Sequence, residues 1–204
     1  MSIRHILCDI EGTTTKISFV SDVLFPYFVQ NLENEWDSLS DWEEFDLAIA
    51  EIEKDSKARS KKEYIKQLKE WVSLDVKQTG LKRLQGKVWE KGYQKGELKA
   101  HLYPDVPEAF KFWKKNKLTI NIYSSGSVQA QKLLFKHTEY GDLSHNITSY
   151  FDTKVGHKRE VNSYREILKQ LAVQPENILF LSDIEEELNA AQKEKKRNSL
   201  VPSM

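Results

Sequence analysis

The chain has 204 residues, long enough for one domain with a large insertion, and its 39% hydrophobic and 30% charged residues are typical of a soluble globular protein. Basic and acidic residues each number 31, so no net charge favours nucleic acid or an anionic membrane surface as a partner. Because no apolar run approaches the roughly 20 residues that span a bilayer, and no signal peptide is evident, we expect a cytoplasmic protein, or one also nuclear in a eukaryote.

Short apolar runs rich in β-branched residues are typical of buried strands, and the chain has four of them: residues 3–9, 118–124, 147–153 and 177–183. Helical patterns accompany the later runs, at residues 105–116, 127–137 and 162–173. Asp105 and Glu108 have the spacing of a capping box at the start of the first of these helices. Strands that alternate with helices predict an α/β fold with a parallel sheet.

Residues 17–100 contain no strand-like run, and their apolar residues recur at helical spacing. One stripe consists of Trp42, Phe45, Ile49 and Ile52, and the next of Tyr64, Leu68, Trp71 and Val72. We interpret both stripes as helical core, the alternative being a cofactor site lined by the aromatic rings. We therefore predict an all-helical insert at residues 17–100 within a discontinuous α/β core of residues 1–16 and 101–204.

Polar and charged residues directly follow the predicted strands. In chain order they are Asp9 and Glu11, then Ser124 and Ser125, then Lys154 and Lys158, and finally Asp183. In an open parallel sheet these strand ends meet at the edge where ligands bind. Any one carboxylate there could merely cap a turn, but the coincidence at several strand ends favours a site. Carboxylates suit Mg²⁺, which commonly shares its coordination with a substrate phosphate. Lysine and hydroxyl groups suit that phosphate, and one carboxylate could attack phosphorus.

Six segments carry a resemblance to a known family. They read "DIEGTTT" (9–15), "ISFVSDVLFPYF" (17–28), "LKRLQGKVWEKGY" (81–93), "YSSGSVQAQKLLF" (123–135), "FDTKVGHK" (151–158) and "NILFLSDIEEEL" (177–188). The first resembles the nucleophile motif of the haloacid dehalogenase-like hydrolases, with Glu11 where an aspartate is usual. Together, from about Ile6 to about Gln192, they resemble the enolase-phosphatases of methionine salvage, also called acireductone synthases.

The resemblance implies a role for each residue at the strand ends. Asp9 matches the nucleophile and a magnesium ligand, and Glu11 matches the acid/base residue and a second ligand. Asp183 matches the remaining acidic ligand of one Mg²⁺ per subunit. The other matches are Ser124 and Ser125 to the substrate-phosphate motif and Lys158 to the substrate-binding lysine, with Lys154 as the alternative. Glu187, one helical turn after Asp183, is either a holder of metal-bound water or a solvated carboxylate at a helix start.

The resemblance also implies the reaction. The family converts 2,3-diketo-5-methylthiopentyl-1-phosphate to the acireductone 1,2-dihydroxy-3-keto-5-methylthiopentene and phosphate, by enolisation and then phosphate removal at one site. The helical insert would be the cap over this site, with Phe19 and Phe25 as substrate contacts or core residues. The alternatives are a magnesium phosphatase for another small phosphate ester and a catalytically silent scaffold. We expect a monomer with a small-molecule substrate and no nucleic-acid or membrane partner.

The end of the chain departs from the family pattern. Relatives continue after the last helix with another apolar strand and an Arg-Pro-Gly loop, whereas this chain ends in "QKEKKRNSLVPSM". We therefore expect the final strand of the sheet to be missing. The strand at residues 177–183 would then lie at an open edge unless the tail or another molecule covers it.

Overall fold

A computed structural model describes residues 2–198 of the chain, excluding the side chains of residues 195–198. The chain divides into two compact units, one formed by Met1–Ile17 with Lys99–Met204 and the other by Ser18–Leu98. Among the described residues, no helix is both long enough and apolar enough to cross a membrane. The two units are described separately below.

The first unit is built on a parallel sheet. In the described residues the strands are β1 (His5–Cys8), β2 (Thr119–Tyr123), β3 (Ile147–Phe151) and β4 (Ile178–Leu181), and their order across the sheet is β3-β2-β1-β4. The α-helices of the same residues are α1 (Phe25–Ser40), α2 (Phe45–Asp55), α3 (Lys61–Ser73), α4 (Thr79–Gln94), α5 (Asp105–Lys115), α6 (Val128–Lys136), α7 (Val161–Leu171) and α8 (Glu185–Asn198). This architecture confirms the predicted α/β class and the parallel sheet.

Residues 6–8 of β1 and 120–123 of β2 are all buried, Asn121 among them, as expected for the inner strands of a parallel sheet whose two faces are covered by helices. Ile6, Leu7 and Cys8 of β1 are all buried, and Leu7 packs in one cluster with Tyr123 and Phe151. The hydrophobic core of this unit therefore lies around β1 and β2.

Strand β4 is less buried than its sequence suggests, because among the described residues it is an outer strand of the sheet. Leu179 is 44% exposed, and an apolar groove of about 360 Å³ runs beside β4 between α7 and α8. This position agrees with the expected open edge. The possibility that the tail covers that edge concerns residues 199–204, which lie outside the described residues.

The second unit consists of α1–α4, preceded by a single π-helical turn at Val20–Leu24. The predicted stripe of α3 is buried throughout. In the other predicted stripe only Ile52 is fully buried, Phe45 and Ile49 are partly exposed, and Trp42 is partly exposed and precedes the start of α2. Glycine in α4 permits close packing: a Cβ built on Gly80 would lie 2.4 Å from the carbonyl oxygen of Ala48. The α3 stripe therefore forms helical core, whereas the stripe that ends at Ile52 does so only in part.

The capping box expected at α5 is wrong. Pro104 occupies the N-cap position, no side chain caps the helix, and Asp105 already lies in the first turn. Asp105 and Glu108 instead place negative charge near the positive end of the helix dipole, which is favourable without a specific hydrogen bond.

Candidate active site

Asp9 lies directly beyond β1, where a tight loop turns the chain. Its N–H continues the β1–β4 ladder by donating to the carbonyl of Leu181 at 2.9 Å. The loop then folds back, since the N–H groups of Thr13, Thr14 and Thr15 all donate to the carbonyl of Ile10. Asp9 is only 4% exposed, and its Oδ1 accepts the N–H of Ile10 at 2.6 Å. A carboxylate is therefore held rigidly at the edge of the sheet.

Lys158 lies between two buried carboxylates. Its Nζ is 2.6 Å from Oδ2 of Asp9 and 2.8 Å from Oε2 of Glu187. Ser182 donates a hydrogen bond to the same Glu187 oxygen at 2.9 Å. Glu187 is 7% exposed, so the interpretation of this residue as a solvated helix-start carboxylate is wrong. It is a buried partner of the lysine.

Contacts with α7 and with Tyr123 hold the loop that carries Lys158 in place. Gly156 has a φ of +125°, and a Cβ built there would lie 2.2 Å from Oγ of Ser163, so only glycine fits this position. The hydroxyl of Tyr164 donates to the carbonyl of Lys158 at 2.5 Å, and the ring of Tyr123 lies 5.8 Å from Nζ. These contacts orient the lysine toward Asp9, a selection that the sequence left open between Lys154 and Lys158.

Ser124 and Ser125 begin the turn between β2 and α6. Ser124 is buried, its N–H donates to the carbonyl of Phe151 at 3.1 Å, and its Oγ accepts the N–H of Gly126 at 3.2 Å. Ser127 caps α6 by accepting the N–H of Ala130. The turn therefore leads into a helix N-terminus, a favourable environment for an anion.

Asp183 follows β4 and lies against the loop of the first motif. A Cβ built on Gly12, whose φ is +77°, would lie 2.1 Å from Oδ2 of Asp183. The N–H of Asp183 donates to Oγ1 of Thr13 at 3.2 Å. Gly12 thus gives the carboxylate room beside the Asp9 loop, and Thr13 holds its backbone there.

One open cavity of about 460 Å³ contains all the residues named from the strand ends except Lys154. Its lining includes Asp9, Glu11, Ser124, Ser125, Lys158 and Asp183. Glu187 also lines it, as do His157 and Arg159, which the sequence interpretation did not place in the site. Lys154 is exposed and does not belong to this lining. The D-x-x-x-E spacing was the only sequence signal for Glu187.

The electrostatics of the cavity centre on Asp9. Burial raises the pKa of its carboxyl from 3.8 to about 6, with Glu187 adding to the rise while the charge of Lys158 opposes it. A carboxylate that is desolvated in this way gains from any further cation.

This pKa predicts how the stability of the protein depends on pH in the absence of divalent cations. A carboxyl whose folded-state pKa is raised contributes stability at low pH and loses it as the pH rises. For Asp9 the loss falls between pH 3.8 and about 6, and two pKa units correspond to at most about 3 kcal/mol. We therefore expect the free energy of unfolding of Asp9→Asn, relative to that of the wild type, to increase by up to that amount from about pH 4 to about pH 7. Urea unfolding in the presence of a chelator measures this difference. If the variant and the wild type differed in free energy of unfolding by the same amount at both pH values, the raised pKa of Asp9 would be contradicted.

The donor set fits Mg²⁺ by chemistry. Asp9, Glu11 and Asp183 offer only oxygen ligands. The Asp9 carboxylate is buried, and the charge of Lys158 offsets only part of the cost of burying it, since its pKa remains raised. Within residues 2–198, no group of three or more His, Cys, Asp or Glu side chains is close enough to hold a metal ion by itself. Magnesium does not require one, because it usually keeps several waters and shares one or two carboxylates with a substrate phosphate.

Comparisons with known proteins agree with this geometry. The family model for haloacid dehalogenase-like hydrolases matches residues 3–193. Enolase-phosphatase E1 of Marinobacter nauticus is 48% identical over 194 residues, covering 93% of this chain and 84% of the relative. Enolase-phosphatase E1 of Anopheles gambiae is 44% identical over 209 residues, covering 94% of this chain and 71% of the relative.

A solved structure extends the likeness to three dimensions. The crystal structure of the UTR4 protein from Saccharomyces cerevisiae is 36% identical, with a TM-score of 0.78, and the match covers 94% of this chain and 86% of that one. Both the sequence and the fold therefore agree with the resemblance seen in the motifs. The chain belongs to the haloacid dehalogenase-like hydrolases and, among them, to the enolase-phosphatase E1 family.

Proposed function

We propose that this chain is a bifunctional enolase-phosphatase of methionine salvage, an acireductone synthase. It converts 2,3-diketo-5-methylthiopentyl-1-phosphate to 1,2-dihydroxy-3-keto-5-methylthiopentene and phosphate. The observation that carries the proposal is the buried Asp9 carboxylate paired with Lys158 in a cavity that also contains Ser124 and Asp183. Relatives at 44% and 48% identity that bear the name enolase-phosphatase E1 support the same reaction.

Phosphate removal is assigned to Asp9. An oxygen of its carboxylate attacks phosphorus, the bond from phosphorus to the substrate oxygen breaks, and an aspartyl-phosphate forms. Glu11, two residues along the same loop, protonates the departing oxygen and then takes a proton from the water that hydrolyses the acyl-phosphate. Asp9 is returned as a carboxylate and inorganic phosphate leaves.

Phosphate binding is assigned to Lys158, Ser124 and Ser125. The lysine brings positive charge, and the two serines bring hydroxyl groups near the N-terminus of α6. Because Lys158 already faces Asp9 at 2.6 Å, it can hold a phosphate oxygen in line with the attacking carboxylate. Lys158 would also offset negative charge that develops on that oxygen.

Enolisation is assigned to the same cavity, with Glu11 as the base that removes a proton from the phosphate-bearing carbon. Both steps develop negative charge on oxygen, so one set of cationic groups can serve both. One Mg²⁺ per subunit, held by Asp9, Glu11 and Asp183, would supply Lewis-acid stabilisation of these oxygens when bound.

The helical unit is proposed as the cap that determines substrate choice. This assignment depends on its position in the chain, directly after the first motif, and on the resemblance of residues 17–28 and 81–93 to the family. Phe19 is buried, which favours its reading as a core residue over a substrate contact. We further propose that the protein acts as a monomer in the cytoplasm, which sedimentation of the purified chain and fractionation of cells would test.

The decisive experiment mixes the purified chain with the diketone phosphate and Mg²⁺ and follows enol absorbance and free phosphate together. Both signals are expected, the enol first. Phosphate release from another ester with no enol signal would favour a general phosphatase. Neither signal from a folded sample would favour a silent scaffold. Calorimetric titration with Mg²⁺ alone should show binding by the wild type and weakened binding by Asp183→Asn, so metal binding is measured apart from activity.

A further inference from the structure

Gln131 is a buried residue of α6 that lies next to the cavity without lining it. It is 1% exposed, although it is polar and belongs to a helix that begins at the rim of the site. A buried amide must find hydrogen-bond partners or cost about 1–3 kcal/mol for each unsatisfied group. The partners that Gln131 finds therefore indicate why an amide is placed there.

Both hydrogens of the Gln131 amide are used on the serine turn. Nε2 donates to the carbonyl of Gly126 at 2.8 Å and to the carbonyl of Phe151 at 2.8 Å. The Phe151 carbonyl is the group that also accepts the N–H of Ser124. The Gln131 side chain thus holds both Gly126, near the end of the turn, and Phe151, at the end of β3. Ser124, at the start of the turn, is bonded to the same Phe151 carbonyl.

This bridge fixes the orientation of the turn. In a planar trans peptide the carbonyl of Gly126 and the N–H of Ser127 point in opposite directions. Holding the Gly126 carbonyl toward Gln131 therefore directs the next N–H away from the protein interior. The Oε1 atom of Gln131 is buried without a hydrogen-bond partner among the described residues. The arrangement thus satisfies the donors of the amide and leaves its acceptor unpaired.

We propose that Gln131 is a positioning residue that holds Ser124, Ser125 and Gly126 in the geometry that binds the substrate phosphate. The inference rests on the phosphate role given to these serines under the proposed function. Gln131 acts through the turn, because it does not line the cavity itself. A merely structural glutamine would stabilise the fold equally in the presence and absence of phosphate.

The test compares Gln131→Met with Gln78→Met in the full chain with Mg²⁺ present, using inorganic phosphate as the probe. Gln78 is the matched control, since it is also a buried glutamine that bonds backbone groups, those of Glu51 and Leu81, but lies in the helical unit. Gln131→Met is expected to raise the Kd for phosphate by about 10- to 100-fold, because a small misplacement of binding groups costs that much. Gln78→Met is expected to lower only the free energy of unfolding.

A double-mutant cycle with Ser124→Ala separates positioning from general destabilisation. If Gln131 acts through Ser124, the two losses of phosphate affinity are expected to be non-additive, and additive losses would overturn the inference. Should Gln131→Met not fold, Gln131→His keeps one ring N–H donor and is expected to show a smaller loss. If the wild type binds phosphate and the Gln131 variant binds it equally well, the inference is overturned but the proposed function is not. An absence of phosphate binding by the wild type overturns the proposed function as well.

Discussion

Asp9→Asn is expected to abolish phosphate release while enol formation continues, so that the enol phosphate accumulates. The amide is nearly the same size as the carboxylate and keeps an oxygen at the same place, but it cannot attack phosphorus. Loss of a nucleophile typically lowers kcat by on the order of 10⁴-fold or more. Stopped-flow absorbance for the enol, with a phosphate assay on the same samples, measures both steps.

The matched control for this change is Asp142→Asn. Asp142 is an exposed aspartate that bonds Ser144 on another loop of the same unit, away from the cavity lining. Both activities of that variant should equal those of the wild type. Phosphate release by Asp9→Asn at a rate near that of the wild type would show that Asp9 is not the nucleophile. Loss of both signals, with Mg²⁺ binding also lost, would show that the main role of Asp9 is to hold the metal.

Lys158→Met is expected to lower kcat/KM for phosphate release by at least 10²- to 10³-fold, the usual effect of removing one charge-stabilising group. The substitution also leaves Asp9 and Glu187 facing each other without the cation that now lies 2.6 Å and 2.8 Å from them. Since Lys158 holds down the pKa of the Asp9 carboxyl, that pKa should rise further in the variant. Steady-state kinetics over a range of pH measures both effects.

Lys154→Met provides the control, because it removes the same kind of side chain from the same loop at an exposed position outside the cavity lining. It should leave kcat/KM unchanged. Equal losses in the two variants would mean that the charge of the loop as a whole matters and that the contact of Lys158 with Asp9 does not. Because removal of one partner from a buried ion pair can cost about 3–5 kcal/mol, unfolding curves must accompany the kinetics.

The positions of the strands could be predicted because they depend on local pattern. The runs that contain β1 and β2 are mostly apolar, with Asn121 as a buried polar exception, because both faces of an inner parallel strand are buried. The apolar pattern alone does not indicate that β4 is partly exposed, because β4 is at least as apolar as β1 and its burial depends on having a neighbour on each side. The expectation of an open edge came instead from the departure of the chain end from the family pattern. Burial of a strand is a property of the sheet.

The candidate site was predictable in its residue types but not in its contacts. Asp9, Ser124 and Asp183 follow apolar runs, so their places at one edge of the sheet could be inferred. Charge and position alone left the choice between Lys154 and Lys158 open, since both have the same charge and lie in one loop, and only the resemblance to the family favoured Lys158. The positive φ of Gly156 and the hydroxyl of Tyr164 orient Lys158 locally, and its ion pair with Asp9 joins segments far apart in the chain.

Glu187 and Gln131 show why the contacts within the site could be known only from the tertiary structure. Each is a polar residue on a helix, and helix periodicity alone gives no rule for which polar residue faces inward when an ion pair or a carbonyl is there to receive it. Glu187 faces Lys158, and Gln131 faces the carbonyls of Gly126 and Phe151. Their burial is stable only because these partners exist.

The sequence by itself determined the α/β class, the order of the elements, the helical insert and the set of acidic, hydroxyl and basic residues at the strand ends. These follow from hydrophobic period and from the rule that parallel strands end at a common edge, which are local or topological properties. Only the tertiary structure decided which lysine meets Asp9, which carboxylate shares that lysine and which amide holds the serine turn. Those choices depend on distances between segments far apart in the chain, and on the free-energy cost of burying a charge or an amide N–H without a partner.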